Sequence, residues 1–186
     1  MKVKLSDVVK LQLGFYSKPD EEGHVKYLQA KHFDDAGELL ADIDTYICKD
    51  ERNESHLLKD GDLIFVGKGF RNFAWMYTSD IGEAVASSIF FVIRPNKDEV
   101  YPEFLTTLFN TPKYQTYFQL LGAGSSITSI RKSELEAMTI NLPDLEVQKK
   151  IVEIKKLHQR DLTLSKEIIK KKETRFQSVI NKLLNA

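Results

Sequence analysis

Residues 144–186 constrain this chain most. The stretch has neither Gly nor Pro, so nothing in it breaks a helix. Val147, Ile151, Ile154 and Leu157 step by four, three and three. Leu164 and Ile168 continue the pattern, and Phe176, Val179, Ile180, Leu183 and Leu184 resume it beyond an interruption at Asp161 and residues 170–175. This spacing predicts one long amphipathic helix with an imperfect coiled-coil seam. A helix of about 40 residues spans about 60 Å at 1.5 Å per residue, several times the usual length. A domain built from the remaining residues cannot cover such a stripe, so a pairing helix is expected along Val147, Ile151, Ile154, Leu157, Leu164, Ile168, Val179 and Leu183. The alternative is a basic, solvated helix lying along its own domain.

Charge divides the same way. From Glu146 onward eleven Lys/Arg face five Asp/Glu, a net of +6. The whole chain is neutral, so residues 1–145 carry −6. A neutral total gives no global sign of nucleic-acid binding, which would have to come from local clusters. The single Cys48 excludes an internal disulfide and a Cys-rich zinc site. The opening Met-Lys-Val-Lys-Leu-Ser lacks the apolar core of a secretory signal, and the longest near-apolar run, residues 84–93, is too short for a bilayer. A cytoplasmic, cofactor-free protein is the simplest expectation.

Residues 1–143 are expected to form one domain and residues 144–186 a helical appendage. Residues 3–9 suit a short strand or helical turn. Residues 25–30 alternate as a strand, and residues 43–48 form a weaker one. Leu63-Ile64-Phe65-Val66 reads as a buried strand after an Asp60-Gly61 turn. Residues 73–78 return, residues 84–93 form a further strand or pair ended by Arg94-Pro95, and residues 138–142 a last short strand. Pro102 begins a helix to Asn110. Thr111 is expected to cap a second helix, with Pro112 in its first turn, running to Leu121. Ser133 with Glu136 reads as a capping box, and Asp144 as the cap of the long helix. Strands first and helices after, without βα alternation, predict an α+β domain with a mixed sheet.

Motifs for catalysis are missing: no phosphate-binding G-x-x-x-x-G-K-[ST], no G-x-G-x-x-G after a strand, no H-E-x-x-H and no Asn/Asp-Pro-Pro-aromatic string. The acid pairs Asp34/Asp35 and Asp42/Asp44 suit a metal or, more simply, turn capping. Phe70, Phe73, Trp75 and Tyr77 suit base stacking or core packing, and Tyr114, Tyr117, Phe118 and Leu121 have the helical spacing of a core stripe.

Several strings taken together resemble a known family. They are Tyr27-Leu28-Gln29-Ala30-Lys31-His32-Phe33, Leu58-Lys59-Asp60-Gly61-Asp62-Leu63-Ile64-Phe65 with its Gly-rich loop, and Tyr101-Pro102-Glu103-Phe104-Leu105. The clearest are Gly124-Ser125-Ser126-Ile127-Thr128-Ser129-Ile130 and Ile140-Asn141-Leu142-Pro143-Asp144-Leu145-Glu146-Val147-Gln148. Over nearly its whole length the chain is similar to the specificity subunit of type I restriction–modification systems. The resemblance implies a target-recognition domain followed by a spacer helix. The full subunit carries two such pairs, its helices antiparallel, each domain reading half of a split target in double-stranded DNA. Methyltransferase and restriction subunits supply the chemistry, so no catalysis is expected here. This chain corresponds to one domain and one helix, a half-subunit or a fragment, and two copies would restore the pair as a homodimer. The alternatives are the recognition region of a fused restriction–methylation enzyme, or a helix-mediated scaffold with no DNA role.

Under that resemblance the expected DNA contacts fall in three places. Lys68, Arg71 and Asn72, beside Gly67 and Gly69, are expected to read bases. Ser125, Ser126, Thr128, Arg131 and Lys132 are expected to hold the backbone, and Lys31 and His32 lie at a strand end. Arg and Lys match guanine's acceptors, Asn matches adenine, and hydroxyls and Lys match phosphates. Each is equally an ordinary residue of a solvated loop.

Overall fold

The computed structural model describes residues 1–34, 36–40, 42–69, 71–121 and 129–185. By internal contacts it divides into two units, Met1–Gln148 and Lys149–Ala186. In the first unit the elements follow as β1 (Lys2–Lys4), α1 (Leu5–Val8), β2 (Val9–Leu13), β3 (Val25–Leu28), β4 (Tyr46–Ile47), α2 (Glu51–Glu54), β5 (Leu63–Val66), β6 (Ala74–Met76), β7 (Ala84–Ala86) and β8 (Phe90–Pro95). Then come α3 (Pro102–Phe109), α4 (Pro112–Leu121), α5 (Lys132–Ala137) and β9 (Thr139–Asn141). The chain continues into α6 (Leu145–Leu184), a single 40-residue helix.

The architecture is α+β with mixed sheets, as the strand-then-helix order predicts. The main sheet runs β2-β8-β5-β6, antiparallel throughout. A second runs β4-β3-β7, with β3 and β7 parallel, and a third pairs β1 with β9. The continuous apolar run of β5 is buried on both faces. Ile64 and Val66 enter a cluster with Leu28, Phe33, Phe73, Tyr77 and Phe90. Phe65 points the other way, its ring 5.6 Å from Phe109 of α3 and 4.6 Å from Phe118 of α4. Strand alternation thus places one side chain in each layer.

Local details refine the sequence reading. Residues 3–9 hold strand, helical turn and strand in succession. Residues 84–93 are a pair, β7 and β8, and β8 runs on through Arg94 and Pro95, which face Lys10 and Val9 at the end of the sheet. Pro95 is tolerated as the terminal strand residue. The capping box lies two residues earlier than expected: α5 begins at Lys132, and the Arg131 N–H donates to Glu134 Oε2 at 2.7 Å. The Thr111 hydroxyl donates backward to the Leu108 carbonyl, closing α3. Asp144 does cap α6, accepting from the Val147 N–H at 3.0 Å.

Candidate nucleic-acid interface

The β5–β6 connection is the hub of the site. Its ends are tied by the Asn72 side chain, which is 5% exposed and donates from Nδ2 to the Val66 carbonyl at 2.7 Å. The side chain expected to read a base is thus largely buried, with its amide N–H donating inside the loop. Gly67 is required for a reason other than groove approach: a Cβ there would fall 2.2 Å from the Phe91 ring. Gly69 differs. Its φ of +122° suits glycine, and nothing lies within 4 Å of the Cβ position.

Two long-range contacts gather the expected segments around this loop. Lys68 forms an isolated antiparallel bridge with Ser129, and the Ile130 N–H donates to the Gly67 carbonyl at 2.8 Å. Buried Ile130 anchors the strip that leads into Arg131 and Lys132. On the opposite side Arg71 Nη2 donates to the Asp34 carbonyl at 2.7 Å, and its guanidinium lies 5.7 Å from the Phe73 ring centre. Phe33 packs on Phe73 at 5.1 Å, bringing the turn after Lys31 and His32 alongside. Asp34 shapes that turn by accepting from the N–H groups of Ala36 and Glu38. Gly37, at φ +79°, packs where a Cβ would strike the Phe73 ring.

Lys31, Lys68, Arg71, Arg131 and Lys132 are all exposed. His32 is not. At 2% exposure its Nδ1 accepts from the Gln29 N–H at 3.0 Å, so Nε2 carries the proton and donates to Asp44 at 2.9 Å. The imidazole expected to touch DNA is therefore buried and holds this segment through Gln29 and Asp44. Asp44 also accepts from Lys31 Nζ at 2.6 Å and from the Thr45 hydroxyl. Hydrogen bonds from Lys31, His32 and Thr45, in that order, hold its carboxyl well below the usual carboxylate range. Lys132 meets Glu136 at 3.4 Å. Both ion pairs lie at the solvent-exposed surface. Ser125, Ser126, Thr128, Phe70 and Asp35 lie outside the described residues.

The aromatic residues near the loop are core. Phe73 and Tyr77 are buried, and Trp75 packs against the same cluster, 5.5 Å from Phe33. Tyr114 and Phe118 are likewise buried, whereas Tyr117 is exposed. Among the described residues no group of three His, Cys, Asp or Glu is placed to hold a metal, and no helix is long and apolar enough to cross a membrane.

Gln148 is a residue the sequence reading passed over. It is fully buried, accepts from the Tyr101 N–H, and donates to the carbonyls of Glu99 and Pro143, each at 2.8 Å. One amide side chain thereby fixes the first turn of α6 to the α3 entrance. A polar residue amid charged helical neighbours gives no sign of such burial; only its nearness to Pro143 hints at a junction.

The first unit thus carries exposed cations around one loop, and the chain continues into a long basic helix. The family model for the type I restriction modification DNA specificity domain matches residues 1–173, and the chain belongs to that family. It is 31% identical over 100 residues to the type I restriction enzyme HindI specificity subunit of Haemophilus influenzae, covering 52% of this chain and 22% of that protein. Its fold is similar to the HsdS subunit from Thermoanaerobacter tengcongensis (TM-score 0.60, 17% identity, 88% of this chain and 38% of that one). It is also similar to the S subunit from M. genitalium (TM-score 0.59, 14% identity, 90% and 41%). The chain thus spans less than half the length of these relatives.

Proposed function

We propose that this chain recognises a DNA sequence on behalf of a type I restriction–modification system, without catalysing a reaction itself. The observation that carries this reading is the convergence of Lys31, Lys68, Arg71 and Arg131 on one loop cluster from segments far apart in sequence. Lys68 and Arg71 present donors to base edges, while Arg131, Lys132 and Lys31 meet phosphates, as would Ser125, Ser126 and Thr128. Residues 1–143 act as the reader and residues 144–186 as the spacer. The helix pairs with a second copy, and the methyltransferase and restriction subunits, which act on DNA in the cytoplasm, dock on the assembly.

Selection from a randomised duplex library, with the methyltransferase subunit present, tests the reading. Enrichment of a defined sequence, weakening steeply with salt, supports it. Recovery of unenriched DNA, or none, favours a scaffold without a DNA role.

A further inference from the structure

A cavity of about 430 Å³ opens between α4 and the β1–β9 ribbon, at the end of α5 opposite Arg131. Strand alternation builds one wall. Ile140 points into the core and is fully buried, so its neighbours Thr139 and Asn141 face outward. Lys2 is the cross-strand partner of Asn141 and shares that outer face. The other wall is α4, where Lys113 and Tyr117 stand one turn apart with Tyr114 beside them. Lys2, Lys113, Tyr117, Thr139 and Asn141 are all exposed.

Charge sets this cavity apart. Its lining holds two lysines and no carboxylate, in a domain that leans acidic. Among the described residues neither Lys2 nor Lys113 forms an ion pair. Lys113 Nζ lies 6.0 Å from the Tyr114 ring centre, a contact that uses none of its N–H donors. A cavity of similar size beside β8 differs: Asp7 lines it, Arg94 is held by Asp62, and Lys97 reaches Asp60.

From this combination we propose that the cavity binds a nucleoside phosphate. Two unneutralised ammonium groups suit a phosphate that carries nearly two negative charges at neutral pH. The exposed Tyr117 ring offers a face on which a base stacks. Asn141 and Thr139 supply donors and acceptors for a base edge or sugar hydroxyl. The volume is within the range small ligands occupy. The site is independent of the loop cluster and of its reading of DNA.

Calorimetric titration of the full chain with adenosine 5′-monophosphate, without DNA, tests this. Saturable binding at one site per chain is expected, with adenosine and inorganic phosphate each weaker by about tenfold or more, since each fills only part of the site. Lys2→Gln and Lys113→Gln are each expected to weaken the nucleotide by about tenfold, the loss of one charge-assisted hydrogen bond. Tyr117→Ala should weaken the nucleotide and leave phosphate unchanged. Lys171→Gln, on the exposed face of α6, controls for general attraction to a basic chain and should change nothing. No saturable binding up to about 10 mM would overturn the proposal, as would an equal loss in Lys171→Gln. Phosphate bound as tightly as the nucleotide would overturn its nucleoside part. A duplex bound more weakly, with a lower salt slope, by Lys2→Gln and Lys113→Gln while the mononucleotide fails to bind would give these lysines to DNA phosphates instead.

Discussion

Lys68 and Ser129 lie opposite one another in an isolated antiparallel bridge, joining the β5–β6 loop to the strip that enters α5. Neither residue predicts the other in sequence. Their pairing turns two separate basic spots, Lys68 with Arg71 and Arg131 with Lys132, into neighbours.

From this neighbourhood a salt-dependence prediction follows. Arg131→Ala and Lys132→Ala are each expected to lower the slope of log affinity against log salt by about 1, the signature of one lost phosphate contact. Both should weaken binding to all duplexes alike. Titrations at several salt concentrations check this.

Asn72 should behave differently. Its amide closes the loop through the Val66 carbonyl in a buried setting, so Asn72→Ala leaves that acceptor unpaired. The expected result is a loss of about 1–3 kcal/mol in denaturant unfolding, with the enriched DNA sequence unchanged. A changed sequence with unchanged stability would mark Asn72 as a base reader.

Gln148→Leu is expected to cost at least as much, because it removes the partners of one buried N–H and two carbonyls at once. Unfolding followed by urea, with variant and parent compared at constant pH, measures it.

The Asp44 cluster supplies a pH test. The folded-state carboxyl is held below its ordinary value by Lys31, His32 and Thr45. A lowered pKa gives stabilisation that is fully present above the unfolded-state value, about 4, and is lost as the pH falls through the folded value. The parent should therefore exceed Asp44→Asn in stability by a constant margin above about pH 5, and the two curves should converge below about pH 4. A margin that grows on acidification would contradict the assignment.

Much of this was legible in advance because it depends on local chemistry. The absence of Gly and Pro after Asp144 dictates one helix, and the unbroken run at residues 63–66 dictates a doubly buried strand. The placement of Phe73, Trp75 and Tyr77 in the core follows from alternation. Tertiary contact decided the rest. His32 and Asn72 look like surface ligands in a string of letters, yet each is buried by hydrogen bonds to groups that only the fold brings near. Gln148 shows the converse: a residue with no sequence signal becomes the pin of a junction. The α5 cap shifted because Glu134 and Glu136 both satisfy a local spacing rule, and the geometry of Arg131 chose between them.

Arg71 carries the central claim, since it sits where the Lys31 turn and the Lys68 loop meet. The direct measurement is the ratio of affinities for the selected duplex and for a scrambled one of equal length, for parent and Arg71→Ala, at matched salt and with the methyltransferase subunit present. The expected ratio falls by about 5- to 150-fold in the variant, the cost of one lost base contact, about 1–3 kcal/mol. A variant that discriminates as well as the parent, or a parent that binds both duplexes equally, would contradict the account.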